Sequence, residues 1–161
     1  MKTKAHKIAR LLKRKFKINK IDIAFVLGSG LSEQCFDLQN RSEISYEHVG
    51  MPKSQVDGHV AKFIFGQKNN KNILLLSRYH YYECASLPQI RLPYEVLKEM
   101  DCDLVVLTTS VGAVSDKLDV GDVMCIKDHI NFTGINPLVG IKPLEFVEKF
   151  QEKCLLFGQL I

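Results

Sequence analysis

The 161 residues suit a single globular domain, and their 46% hydrophobic and 25% charged fractions are those of an ordinary folded protein rather than a disordered chain. No stretch approaches the ~18 apolar residues that a membrane-spanning helix needs, so a soluble protein is expected. The net charge of +4 hides an asymmetry: residues 1–20 carry nine Lys or Arg and no acid, leaving thirteen basic against eighteen acidic residues afterwards.

Within that basic arm Ile8, Leu11, Leu12 and Phe16 follow helical spacing, so one apolar stripe docks on the core while the lysines turn to water. A solvated helix is the plain reading. The charge also admits an RNA-contacting or anionic-surface arm, or a targeting peptide, although the arm has little Ser and lacks the apolar run of a secretory signal. Residues 1–20 are therefore read as a basic N-terminal helix and 21–161 as one domain.

Ile21 to Leu27 is a mainly apolar run ending at Gly28-Ser29-Gly30, which reads as a buried strand entering a tight loop. Lys62–Gly66 and Asn72–Leu76 flank the polar stretch 67–71, predicting strand, turn and strand. Pro88 to Glu99 places Ile90, Leu92, Val96 and Leu97 on one side of a helix, and Asp103–Thr108 is the next buried strand. Strand, helix and strand in that order predict a parallel crossover. Val120–Ile126 is a further apolar stretch, Asn136-Pro137-Leu138 with Gly140 marks a loop, and a helix-like segment is expected from Pro143 onward. The expected class is α/β, a mixed sheet flanked by helices.

Cys35, Cys84, Cys102, Cys125 and Cys154 form an odd set without a C-x-x-C pair, so neither a disulfide framework nor a zinc site is expected. They read as reduced thiols in a cytoplasmic protein, each a small core residue.

Three places gather groups suited to an anion. Gly28-Ser29-Gly30-Leu31 ends a buried strand, where glycines let backbone N–H groups approach a ligand and a hydroxyl adds a donor; an ordinary tight turn is the alternative. It is not a P-loop, since no Gly-Lys-Ser/Thr follows, and Glu33 occupies the third glycine position of a dinucleotide fingerprint. In an extended stretch Arg78, His80 and Tyr82 share one side, so a guanidinium and an imidazole form an anion clamp, or else a surface strand. Thr108-Thr109-Ser110-Val111-Gly112 again ends a buried strand. Three strand ends converging is how an open α/β sheet builds a ligand site. His59 lies in a polar turn, exposed or near the site, while Asp128 and His129, adjacent in sequence, read as structural.

Taken in order, Gly28-Ser29-Gly30-Leu31, Pro52-Lys53-Ser54 with Val56 and Gly58-His59, Arg78-Tyr79-His80 with Tyr82-Glu83, Gly121-Asp122-Val123-Met124, Asp128-His129-Ile130-Asn131 and Asn136-Pro137-Leu138 resemble the trimeric purine nucleoside phosphorylase family. The likeness runs from about Ile21 to Phe150, and Thr108-Thr109 is similar to the related methylthioadenosine phosphorylases. The resemblance implies a nucleoside-phosphorylase-like sheet and a homotrimer acting on a purine nucleoside and phosphate. Ser29, Arg78, His80 and the Ser110 N–H would hold phosphate; His80 and His59 would be catalytic, with His59 on a mobile loop. Tyr82, Val111 and Phe150 would line the ribose and base, Phe150 in a neighbouring subunit. The implied reaction is phosphorolysis to free purine and (deoxy)ribose 1-phosphate, with phosphate as co-substrate and no metal or organic cofactor. Neither membrane nor nucleic acid is expected as a partner.

Departures accompany the match. Ser32, Ser77, Cys84 and Ala113 stand where the family usually has glycine, and Thr109 where it has asparagine. Family members continue well beyond this length, and that further part supplies the carboxylate and amide that activate the purine, so a C-terminally truncated domain is expected. The alternative is a non-catalytic remnant that binds phosphate or associates with a partner chain.

Overall fold

The computed structural model describes residues 2–28, 31, 33–52, 61–79, 86–128, 130–137, 139 and 154–160. Helix α1 spans Lys4–Phe16. The Thr3 hydroxyl caps it by accepting the His6 N–H at 3.1 Å, and Lys17 ends it in a left-handed conformation, φ 56. Ala5, Ile8, Ala9, Leu12 and Phe16 are buried and Leu11 packs partly against them, which is the stripe the spacing predicts.

Strand β1 (Ile23–Leu27) is followed by β2 (Gln39–Ser45), β3 (Lys62–Lys68) and β4 (Lys71–Ser77). Asn69 and Asn70 join β3 to β4 with φ of 51 and 58, the left-handed pair that lets a two-residue loop follow the twist of its strands. Helix α2 (Leu87–Glu99) leads to β5 (Leu104–Val111), β6 (Val123–Ile126) and β7 (Cys154–Leu160).

These strands form one mixed sheet in the order β2-β3-β4-β1-β5-β7-β6. Its centre, β4-β1-β5-β7, is parallel, and β2, β3 and β6 are antiparallel to their neighbours. The crossover through α2 carries the chain from β4 past β1 to β5, in the predicted parallel sense. Alternate residues divide between the faces. Ala24, Val26, Leu74, Leu76, Phe63 and Phe65 pack with α1 and α2, and Ile64, Ile73 and Leu75 pack with Ile23, Phe25, Phe36 and Leu38 on the other side. Burial on both faces explains why the central strands read as unbroken apolar runs. No described helix is long and apolar enough to cross a membrane.

Two expectations change, and one strand appears where none was expected. The helix expected from Pro143 onward falls first on residues 143–153, outside the described set, and then on Cys154–Leu160, which is a strand inserted between β5 and β6. The polar stretch Gln39–Ser45 is also a strand, paired to β3 at the sheet edge. Cys35 and Cys125 are exposed rather than core residues, Cys35 in a short turn and Cys125 on the outer strand β6; Cys102 is half-buried and donates to the Leu104 carbonyl. The Cys84 side chain and that of Cys154 lie outside the described set.

Candidate anion site at the carboxyl edge of the sheet

Because β4, β1 and β5 are parallel neighbours, their carboxyl ends emerge side by side. Leu27 pairs with Ser77 at the end of β4, and Val26 with Leu107, so β5 runs four residues past that last pair, from Thr108 to Val111. Gly28, Arg78 and Thr108–Ser110 thus share one edge, as the converging strand ends predict.

Thr108 fastens this edge. Its hydroxyl, on a buried residue, donates to the Val26 carbonyl at 3.0 Å and accepts the Gly28 N–H at 3.0 Å. The turn after β1 is thereby held against β5. A Cβ at Gly28 would stand 2.2 Å from the Thr108 carbonyl oxygen, so only glycine allows the approach.

Arg78 follows β4 and reaches across the end of β1: its Nη1 donates to the Thr109 hydroxyl at 3.4 Å. Among the described residues no acceptor meets its Nε–H, which is shielded from solvent. A guanidinium has five donors in a fixed fork, and among the described residues the Thr109 hydroxyl is the one partner that this one meets.

Two tyrosines brace the backbone under Arg78. The fully buried Tyr46 donates its O–H to the Ser77 carbonyl, and Tyr79 donates to the Pro52 carbonyl at 2.6 Å. Their rings lie 5.4 Å apart, and Tyr46 also meets Phe63 at 4.6 Å. Burial pushes the Tyr46 phenol well above its ordinary value, so it stays a neutral donor. Neither tyrosine was selected by sequence reasoning. Tyr79 carries a legible signal, since a neighbour of Arg78 in an extended stretch faces the opposite way, into the core; Tyr46 carries none, because its partner lies 31 residues away.

Of the residues singled out from the sequence, the structure brings Arg78 together with the Thr109–Ser110 stretch of β5. Ser110 and Val111 are half-buried at the end of that strand. Ser29, His59, His80, Tyr82 and Phe150 lie outside the described residues, as does His129; Asp128 is exposed. Among the described residues no three His, Cys, Asp or Glu side chains cluster to hold a metal.

Comparison with known proteins agrees with this arrangement. The model of the phosphorylase superfamily matches residues 22–154. Purine nucleoside phosphorylase 1 of Bacillus subtilis is 32% identical over 81% of this chain and 49% of its own length. The Geobacillus stearothermophilus enzyme of the same name is 33% identical over 86% of this chain and 51% of its own. Among solved structures, isoform 2 of purine nucleoside phosphorylase from Schistosoma mansoni, in complex with cytosine and ribose-1-phosphate, superposes with a TM-score of 0.78 at 34% identity. That superposition covers 91% of this chain and 53% of the Schistosoma protein. The chain therefore belongs to the phosphorylase superfamily and spans about half the length of these relatives.

Proposed function

We propose that the carboxyl edge of the sheet binds inorganic phosphate and serves phosphorolysis of purine nucleosides, releasing the free base and (deoxy)ribose 1-phosphate. The observation that carries this reading is Arg78: its guanidinium bridges to Thr109 with a shielded Nε–H that no described acceptor meets, beside the Gly28 turn. A fork of N–H donors beside backbone amides is suited to a tetrahedral oxyanion.

In this reading Ser29, Arg78, His80 and the Ser110 N–H hold the phosphate, with Tyr82, Val111 and Phe150 against the ribose and base. A phosphate oxygen forms the new bond to the anomeric carbon as the bond to the purine nitrogen breaks, and the purine leaves with the electron pair and takes up a proton. Positive charge grows on the sugar, and a phosphate anion held on one face stabilises it while removing the entropy cost of encounter. His80 and His59 are the catalytic histidines of this scheme. Phosphate is the co-substrate, with no further cofactor, in a cytoplasmic trimer.

A second reading is a phosphate-binding or partner-associating chain without turnover. Calorimetric titration with phosphate, alongside hypoxanthine release from inosine plus phosphate, separates the two. Binding with release supports phosphorolysis, and binding without release supports the second reading. Replacing Arg78 with Lys keeps the charge but loses the fork, so phosphate affinity is expected to fall about tenfold or more. Wild-type protein that binds no phosphate defeats phosphorolysis and phosphate binding alike, leaving only association with a partner chain.

A further inference from the structure

We infer that the outward face of α1 is a docking surface for the phosphodiester backbone of nucleic acid. Lys7, Arg10 and Arg14 stand at i, i+3 and i+7, Lys17 continues the row just past the helix, and all four are exposed. At a rise of ~1.5 Å per residue the row presents a cation about every 5 Å over roughly 15 Å. A regular line of cations matches a polymer of regularly spaced phosphates.

The arm's side chains divide between those paired to the body and those, Lys4 and Lys15 as well as the row, that no described carboxylate meets. Toward the body, His6 meets Glu99 at 2.8 Å, Lys13 meets Asp101 at 2.8 Å and Lys20 meets Asp103 at 2.7 Å. Among the described residues no carboxylate pairs with Lys7, Arg10, Arg14 or Lys17. The first turn contains no acid, so Lys4 and Lys7 oppose the positive end of the helix dipole, and like charges three and four residues apart repel. Stability alone would favour acids at those places. From sequence alone this helix is a plain solvated face with no nucleic acid expected; a row of four outward cations that no described carboxylate meets, with Lys7 set against the dipole although Arg14 and Lys17 at the far end accord with it, is what changes that.

Two other occupants fit less well. Helices that lie in a membrane interface bury an apolar face in lipid, whereas Ile8, Leu12 and Phe16 are already used against the core. A protein partner requires an apolar or aromatic anchor, and the outward row offers none. The row also precedes residue 22, where the superfamily match begins. Lys13 and Lys20 meet Asp101 and Asp103, which precede β5, so the C-terminal end of α1 lies toward the amino ends of the parallel strands, whereas Arg78 follows the carboxyl end of β4.

The test uses the full chain and fluorescence anisotropy with a labelled 20-nucleotide RNA strand and a DNA duplex of equal length, across a salt series. Binding to either probe is expected, with RNA and DNA arms showing which nucleic acid supplies the backbone. The quadruple variant Lys7→Gln, Arg10→Gln, Arg14→Gln, Lys17→Gln should lose about a hundredfold in affinity at low salt, and its log K against log salt slope should flatten by about three. Its thermal midpoint should change little, because relief of like-charge repulsion is offset by loss of the cations that favour the C-terminal end of the helix dipole. The control Lys117→Gln, Lys127→Gln, exposed cations elsewhere, should leave binding unchanged. Absence of binding at low salt, equal binding by the quadruple variant, an equal loss in the control, or tighter binding to phosphatidylserine vesicles would each overturn the inference.

Discussion

Gly28 and Thr108 show how one hydroxyl can decide the shape of a strand edge. Thr108 joins the Val26 carbonyl and the Gly28 N–H, each about eighty residues away in sequence. Such a partnership is invisible to local patterning, although the run Thr108-Thr109-Ser110 already marked the place. Gly28→Ala puts a methyl 2.2 Å from a backbone oxygen that cannot rotate away. The expected cost is about 1–3 kcal/mol in thermal unfolding, together with weaker phosphate binding; an unchanged midpoint would mean the edge is looser than these contacts. Tyr46→Phe removes only the hydroxyl that holds the Ser77 carbonyl, for about 1 kcal/mol. The same variant has a pH signature. Burial raises the folded phenol well above its ordinary 10.0, so the stabilisation is full below that value and is lost as pH rises above it, where the unfolded chain ionises first. Tyr46→Phe should therefore flatten the alkaline limb of stability against pH.

The elements most legible in sequence are those whose period matches the face they bury. Helix α1 follows from Ile8, Leu12 and Phe16 at turns of 3.6, and the β3–β4 hairpin from two apolar runs around a polar turn. Leu12 is fully buried, so Leu12→Ala should cost about 2–5 kcal/mol in urea denaturation. Two strands were not legible. β2 has Ile44 as its lone aliphatic residue and carries Asn40 at φ 51 in an irregular register, so neither composition nor alternation announces it. β7 is a short apolar run, and periodicity alone does not separate a buried strand from a piece of helix. What fixes β2 is partly a charge cluster in which Lys62 on β3 contacts Glu33 and Glu43 at 3.0 and 3.2 Å, with Arg41 also on Glu33 at 3.0 Å. Burial works to raise the Glu33 carboxyl, but the hydrogen bonds from Lys62 and Arg41 outweigh it and hold it below its usual 4.5. Its contribution is therefore present above that value and lost as pH falls through the lowered one. Glu33→Gln should shrink the loss of stability on acidification, by no more than about 1 kcal/mol for a partly exposed pair.

Convergence of β1, β4 and β5 was legible because a parallel crossover places consecutive strand ends on the same edge whatever the side chains are. The surface downstream of β5 was not, since apolar residues in a sequence carry no mark of exposure. Val114, Val120, Val123, Ile130, Phe132 and Val139 all stand in water, Phe132 at 90% and Val114 at 101% of full exposure. This many exposed large apolar side chains within one stretch of chain makes it a candidate contact surface. Covering it would release roughly 25 cal/mol per Å² of apolar area removed from water, and the test is whether copies of this chain cover it for one another. Light scattering on a dilution series should show a mass above that of a single chain, falling as the protein is diluted. Replacing Ile130 and Phe132 by Ser removes apolar area where neither side chain supports the fold, so the thermal midpoint should hold while the mass drops toward 18.3 kDa. Retention of the larger mass by this double variant would place the contact elsewhere, with the unpaired side of β6 the next surface to alter.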